Sequence, residues 1–364
     1  MTKAAELAKM GEVLTNSQIG GRRNIAYNGA MQISQRSTSV SGIGSASGYH
    51  ALDRYKNIIS GTDGRFTMSQ TADGPSGFAN CLKIDVTTAD TSVASGEYYI
   101  LSQLFEGQDV QQIKKGTSDA EKVTVSFYVK GNASATYSLE LEDTDNGRRN
   151  SQTFAVTTSW NRVVLTFNAD TTGALNDDNA NSFNINFWLH AGSDFTGGTF
   201  SDNSWGTGTN TRASSSQTSI FDSTDRTFFL TGLQMEIGSV ATPFEHRSFG
   251  EELALCERYF QVYGANSTYV PIANGISYST TQARIFLVYR KPMRATPAIG
   301  SVTSLILTDR STYDLTVTGI SISGASDLGM TMNITNSSGA TYLRSAFLSG
   351  LNSGTPKFDI DAEL

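Results

Sequence analysis

Period-two alternation is the feature that most constrains this chain. Val123, Val125, Phe127 and Val129 alternate with Thr124, Ser126 and Tyr128, while Tyr137, Leu139 and Leu141 alternate with Ser138, Glu140 and Glu142. Successive side chains on an extended strand point to opposite faces, so such runs offer one face to a core and one to water. Similar runs follow at 154–156, 162–167, 183–189 and 228–237, where Leu233, Met235 and Ile237 face one way. Between them lie DTDNGRRN, NADTTG, NDDNAN and GSDFTGG, in which Asn, Asp and Gly supply turn chemistry. Strands at this spacing, with no helical pattern between them, predict an antiparallel sandwich and argue against a βαβ nucleotide-binding fold.

Helical spacing occurs twice. Leu7, Met10 and Leu14 recur at 3 and 4 residues among Ala4, Ala5 and Ala8, which predicts a short N-terminal helix with one apolar seam. So short a helix is not stable alone in water. It associates with its own copies, docks on another protein, or frays as a leader. The second helix is expected from Ser248, where Ser248 and Glu251 fit a capping box and Phe249, Leu253, Cys256 and Phe260 form one stripe. Strand patterns resume after it, in ARIFLVYR, SLILTD, YDLTVTGISIS, GMTMNIT and TYLRSAFLS. Within the first of these, Ile285 to Tyr289 is apolar on both faces and needs cover on both sides, from its own sandwich or from a neighbouring subunit.

Composition narrows the function classes. The 364 residues carry 27 Lys+Arg against 34 Asp+Glu, a net charge of −7, which gives no support to nucleic-acid binding. Two cysteines, Cys81 and Cys256, cannot staple a fold of this size and are expected as buried free thiols. His50, His190 and His246 lie far apart with no Cys or carboxylate at ligand spacing, so neither a metal nor a cofactor is expected. No window approaches the 18 apolar residues of a membrane helix, and the N-terminus lacks an apolar stretch of signal-peptide length, so neither secretion nor membrane insertion is expected.

Catalysis should leave paired acids or a nucleophile beside a base. The acids occur as sequence neighbours, Glu140, Glu142, Asp143 and Asp145 in one group and Asp177 with Asp178 in another, a pattern expected of solvated turns. Arg22-Arg23 and Arg148-Arg149 read as solvated turns or as ion pairs to a partner chain. For glycan contact the useful residues are exposed aromatics that stack on sugar faces. Trp160 and Trp188 sit in or beside strongly apolar strands and are expected in the core, whereas Trp205, in FSDNSWGTGTNT, has small polar neighbours. It either contacts a ligand or caps the end of the sandwich. Tyr313, Asp314 and Tyr342, in the C-terminal loops, complete the candidate contact set.

Several long blocks resemble a known family. GRRNIAYNGAMQISQR at 21–36, YHALDRY at 49–55, the stretch 104–131, and FLTGLQMEIGSVATPFEHRSFGEELALCERYFQ at 229–261 are similar to virion structural proteins of tailed bacteriophages, especially short-tailed ones, known as tail fibre or tail proteins; the ending FDIDAEL is similar too. The blocks frame residues 21–261, while 262–357 carry no placeable motif. A second resemblance concerns fold. The opening N-x-x-x-NG, a W-x-x-V-x-x-x-F strand containing Trp160, Val163, Val164, Leu165 and Phe167, and the closing F-x-L-x-G-L-Q-M strand are similar to jelly-roll carbohydrate-binding modules. Those modules usually hold a structural calcium with an Asp pair in the closing strand. Here Thr231 and Gly232 stand in those places and Gln32 where an acid is often found, so their metal and sugar sites do not carry over.

The expectation is therefore an all-β chain: an attachment or oligomerisation helix at 1–20, a jelly-roll sandwich at 21–247, a connecting helix at 248–261 and a second, smaller β-sandwich at 262–364. The resemblance implies a non-enzymatic virion protein, a tail fibre made in the host cytoplasm, assembled on the particle surface and attaching to host-surface glycan or protein through many weak contacts. It further implies a homotrimer, with Leu7, Met10 and Leu14 in a threefold seam, and an N-terminus bound to other virion tail or adaptor proteins. The alternatives are a head or tail decoration protein without a receptor role and a polysaccharide-degrading tailspike.

Overall fold

The computed structural model describes residues 2–4, 22–264, 269–309, 314–351 and 356–364, so Leu7, Met10, Leu14 and Tyr313 lie outside the described residues. The chain divides into two compact units, Met1–Phe249 and Gly250–Leu364.

The first unit is built from β1 (Ser39–Ile43), β2 (Gly48–Tyr49), β3 (Lys56–Ser60), β4 (Arg65–Thr71), β5 (Cys81–Thr88), β6 (Tyr98–Glu106), β7 (Val123–Gly131), β8 (Ala135–Asp143), β9 (Arg148–Val156), β10 (Asn161–Phe167), β11 (Asn181–Ala191) and β12 (Thr227–Ile237). They pair antiparallel into two six-stranded sheets, β1-β4-β5-β12-β7-β10 and β2-β3-β6-β11-β8-β9. This is the expected jelly-roll sandwich. The alternation seen in sequence sets its inner faces: Val123, Val125, Phe127 and Val129 from one sheet and Leu139, Leu141, Ile185 and Phe187 from the other are all buried.

The two sequence motifs at the ends of this unit meet in space. Closing strand β12 carries a register shift between Thr231 and Gln234. Gly232 there has φ +64, and a Cβ on it would stand 2.8 Å from the Tyr128 ring and 2.9 Å from that of Phe78. Beyond the bulge, the opening segment lies along the strand: Ile25 donates its amide to the Met235 carbonyl, and Leu233 donates to that of Gly29. A Cβ on Gly29 would sit 2.2 Å from the Leu233 carbonyl, which is why the NG of the opening motif requires glycine. Asn28, in turn, fixes the loop by accepting from the Ile33 amide and donating to the Ile33 and Asp53 carbonyls. At the positions where the resembled modules carry their acidic pair, Thr231 donates its hydroxyl to the Asn80 carbonyl.

A helix at Phe249–Glu257 starts on the last residue of the first unit, and the second unit continues with β13 (Phe260–Tyr263), β14 (Pro271–Ser277), β15 (Gln282–Val288), β16 (Ala298–Thr303), β17 (Leu305–Thr308), β18 (Leu315–Ala325), β19 (Gly329–Asn336), β20 (Ser345–Gly350) and β21 (Lys357–Asp361). The helix is shorter than the 248–261 expected. Phe260 leaves the apolar stripe and enters β13, where it pairs with Asp361, because burial in the sheet outweighs one more helical turn. Within the all-β class, the smaller unit closes on itself: β14-β15-β19-β18-β17-β20 form a barrel, beside a three-stranded sheet β13-β21-β16. Closure gives every barrel strand two neighbours and leaves no free edge. Alternating residues of β15, Ile285 and Leu287, point into a core with Met332, Ile334, Leu348 and Phe358. Its other face carries Phe286, 54% exposed, and Val288, 80% exposed.

Candidate functional site

The outer face of the first sheet carries an aromatic strip. The register places Ser69, Lys83, Phe229 and Lys130 side by side across β4, β5, β12 and β7. Trp160, in the turn before β10, meets Phe229 edge to face with ring centroids 6.2 Å apart. The Lys130 ammonium lies 5.2 Å from the Trp160 ring centre and 4.8 Å from that of Phe229, and Lys83 is 5.7 Å from Phe229. Both cations are tied to carboxylates, Lys130 to Asp73 and Lys83 to Asp85, at 2.7 Å each. The Trp160 indole donates to the Asp73 carbonyl at 3.1 Å, which fixes the ring. Farther along the same face Tyr128 packs on Phe78, which packs on Phe244 and His246. Trp160, Phe229, Tyr128, Phe78 and Phe244 are all half-buried, and His246 is exposed. Fixed, partly exposed ring faces beside paired charges can stack on an apolar ligand face while offering donors and acceptors to its polar edge.

Trp160 is thus not the core residue its apolar neighbours predict. It sits just outside the strand, where the turn lifts the indole onto the sheet surface. Trp188 is fully buried as expected, with the Arg212 guanidinium 4.9 Å from its ring centre.

Trp205 caps a buried charge cluster. Its indole donates to the Asn168 carbonyl at 2.6 Å, and its half-buried ring lies 5.3 Å from the Lys115 ammonium. Lys115 reaches both Asp143 and Asp170, and Arg148 holds Asp170 through two hydrogen bonds. The loop bearing Trp205 is docked on β9 by bridges from Gly206 to Arg149 and from Asp202 to Ser151. Asp314 and Tyr342 lie at one end of the C-terminal barrel. Asp314, exposed, precedes β18, and Tyr342, 63% exposed, lies in the connection from β19 to β20. Pairing of Val317 with Asn336 brings those two connections to the same end.

The acids read as a solvated turn are mostly on strand β8 and buried. Glu140 and Asp143 are fully buried, while Asp145 remains exposed. Glu140 and Glu142 face Asn186 and Asn184 across the second sheet, and Arg212 clamps both acids, with hydrogen bonds of 2.6 and 2.9 Å to Glu140. Burial pushes the Glu142 carboxyl up, but Arg212 and Arg149 outweigh it, so its pKa lies below the ordinary value. Arg148 and Arg149 pair within the chain, with Asp170 and Glu142, rather than with solvent or a partner. Sequence spacing gave no sign of these pairings, since Arg212 and Glu140 are 72 residues apart.

No protein-family profile matches the chain, and no curated protein sequence matches it. Among solved structures, a CBM4 module is similar at 11% identity over 58% of this chain and 97% of its own, with a TM-score of 0.30. A xylan-binding domain from Paenibacillus barcinonensis matches at 12% identity over 60% of this chain and 96% of its own, with a TM-score of 0.29. The enzymatically active domain of tailspike protein 4 from bacteriophage CBA120 matches at 12% identity over 59% of this chain and 21% of its own, with a TM-score of 0.29.

Proposed function

We propose that this chain is a non-enzymatic bacteriophage virion protein, a tail fibre that attaches to host-surface glycan through its jelly-roll unit. The observation that carries the reading is the strip from Trp160 and Phe229 to Tyr128 and Phe78, with ring faces half-exposed on a rigid sheet and salt-bridged Lys130 and Lys83 alongside. Sugar rings present C–H faces to aromatic planes and hydroxyls to charged groups, and sheet-borne side chains hold such a surface at low entropic cost. Each site of this kind is weak, so function requires several copies on one particle. The long sequence blocks that resemble tail proteins support the virion setting.

The test is adsorption of the purified protein to host cells and competition with infection. Trp160→Ala and Phe229→Ala should each lower adsorption at least about tenfold while leaving the melting temperature nearly unchanged. A protein that adsorbs to no host cell yet binds particles lacking it is a decoration protein. Release of reducing sugar from host polysaccharide, abolished by substitution of an acid, would establish the tailspike reading instead.

A further inference from the structure

Asp90, Glu97 and His190 converge within the first unit. The two acids flank the connection from β5 to β6, and His190 lies near the end of β11; one ligand atom from each lies within 4.8 Å of the other two. His190 is fully buried, and Asp90 and Glu97 are 7% and 9% exposed. His190 Nε2 and Glu97 Oε2 face each other at 3.5 Å, and neither atom has a hydrogen-bond partner. That separation is long for a hydrogen bond. It matches two ligands on one ion: donors about 2.1 Å from zinc stand about 3.4 Å apart at the tetrahedral angle.

Charge points the same way. Among the described residues neither carboxylate is ion-paired with a Lys or Arg. Two buried carboxylates with no Lys or Arg counter-charge are costly. The surrounding bonds are those of metal ligands. Ser219 Oγ is 2.7 Å from His190 Nδ1, so an Nδ1–H donated there leaves the Nε2 lone pair directed at Glu97. Asp90 is oriented by the Thr62 hydroxyl at 2.7 Å and the Asp63 amide at 2.8 Å, both on Oδ2. Ser219, the hydrogen-bond partner of His190, also lines a surface cleft with Val93, Ala191, Gly192, Ser193 and Gln217.

We propose that Asp90, Glu97 and His190 form a structural site for a divalent transition-metal ion, Zn²⁺ first. One imidazole with two carboxylates suits a borderline cation, and three protein ligands are too few for Ca²⁺, which takes six to eight oxygens. The ion would tie the β5–β6 connection to β11.

The test uses the full chain, stripped by chelator and titrated with Zn²⁺, Mn²⁺ and Ca²⁺ by calorimetry and thermal melting. Expected are one Zn²⁺ per chain, a melting temperature that rises with Zn²⁺ and falls again with chelator, and much weaker binding of Ca²⁺. Glu97→Gln, a near-isosteric change, should weaken Zn²⁺ at least about tenfold. X-ray absorption of the Zn²⁺-loaded wild type reads the ligands independently of any variant, and should show nitrogen and oxygen with an imidazole signature and no sulfur. Absence of stoichiometric binding, sulfur ligation through Cys81 or Cys256, or undiminished binding in a folded Glu97→Gln protein would each overturn the assignment.

Discussion

The Lys115 ammonium lies 2.5 Å from the Asp143 carboxylate, with the side chains only 1% and 0% exposed. A second carboxylate, Asp170, stands 3.0 Å from the same ammonium, which also donates hydrogen bonds to the Thr172 and Gly173 carbonyls. One cation thus holds two acids from separate segments at the end of the sandwich where Trp205 sits.

Removing it strands Asp143, while Asp170 keeps its pair with Arg148. Lys115→Met should destabilise the first unit by about 3–5 kcal/mol, because an uncompensated buried charge costs more than the pair itself contributes. Urea unfolding followed by tryptophan fluorescence checks this; a loss under about 1 kcal/mol would show that the cluster is solvated in solution.

Acid should weaken the same unit. Burial pushes Asp170 up, but the Arg148 and Lys115 hydrogen bonds outweigh it, so its pKa is depressed, as that of Glu142 is by Arg212 and Arg149. The unfolded chain therefore takes up protons first as pH falls. The stabilisation is complete above the unfolded carboxylate value of about 4 and is lost as pH drops through the lower native values. Melting temperature against pH should fall on the acid side, and Arg212→Met should flatten the part that belongs to Glu142.

Two tryptophans should separate cleanly. Trp188→Ala empties a fully buried site under Arg212 and Phe195 and should cost about 3–5 kcal/mol. Trp160→Ala, on the outer face, should cost less than about 1 kcal/mol. Equal losses by denaturant unfolding would place Trp160 in the core and remove the aromatic strip from consideration.

The barrel's exposed face gives a solution prediction. Phe286 and Val288 stand out from β15, and Phe286 shares a row with Asn274 and Phe347 across β14 and β20. If the expected homotrimer uses this face, Phe286→Ser with Val288→Ser should shift sedimentation from trimer toward monomer. Stability of the monomeric unit should change by no more than about 0.5 kcal/mol, since neither side chain is in the core.

Much of the fold was legible in the chain. Alternation at 123–129 and 137–141 marked strands and their buried faces, because side-chain direction along a strand is a local property. The NG of Asn28-Gly29 and the GLQM strand entered only as parts of a resemblance, and only the structure shows that Gly29 lies against Leu233. The helix end was misread at Phe260, where helical and extended periods overlap and sheet burial decided. The acids of β8 looked solvated because Asp and Glu beside a turn carry no mark of what will cover them.

Sequence alone therefore determined the strand class, the inward residues, the turn positions and a low, acidic charge. Tertiary structure decided the partners. Arg212 meets Glu140, Asp170 meets Lys115, and His190 meets Asp90 and Glu97 only after strands far apart in the chain are set in register. A pairing across some 55–100 residues depends on which strands become neighbours and at what offset, and a shift of one residue would turn strand residues such as Glu140 and His190 to the opposite face.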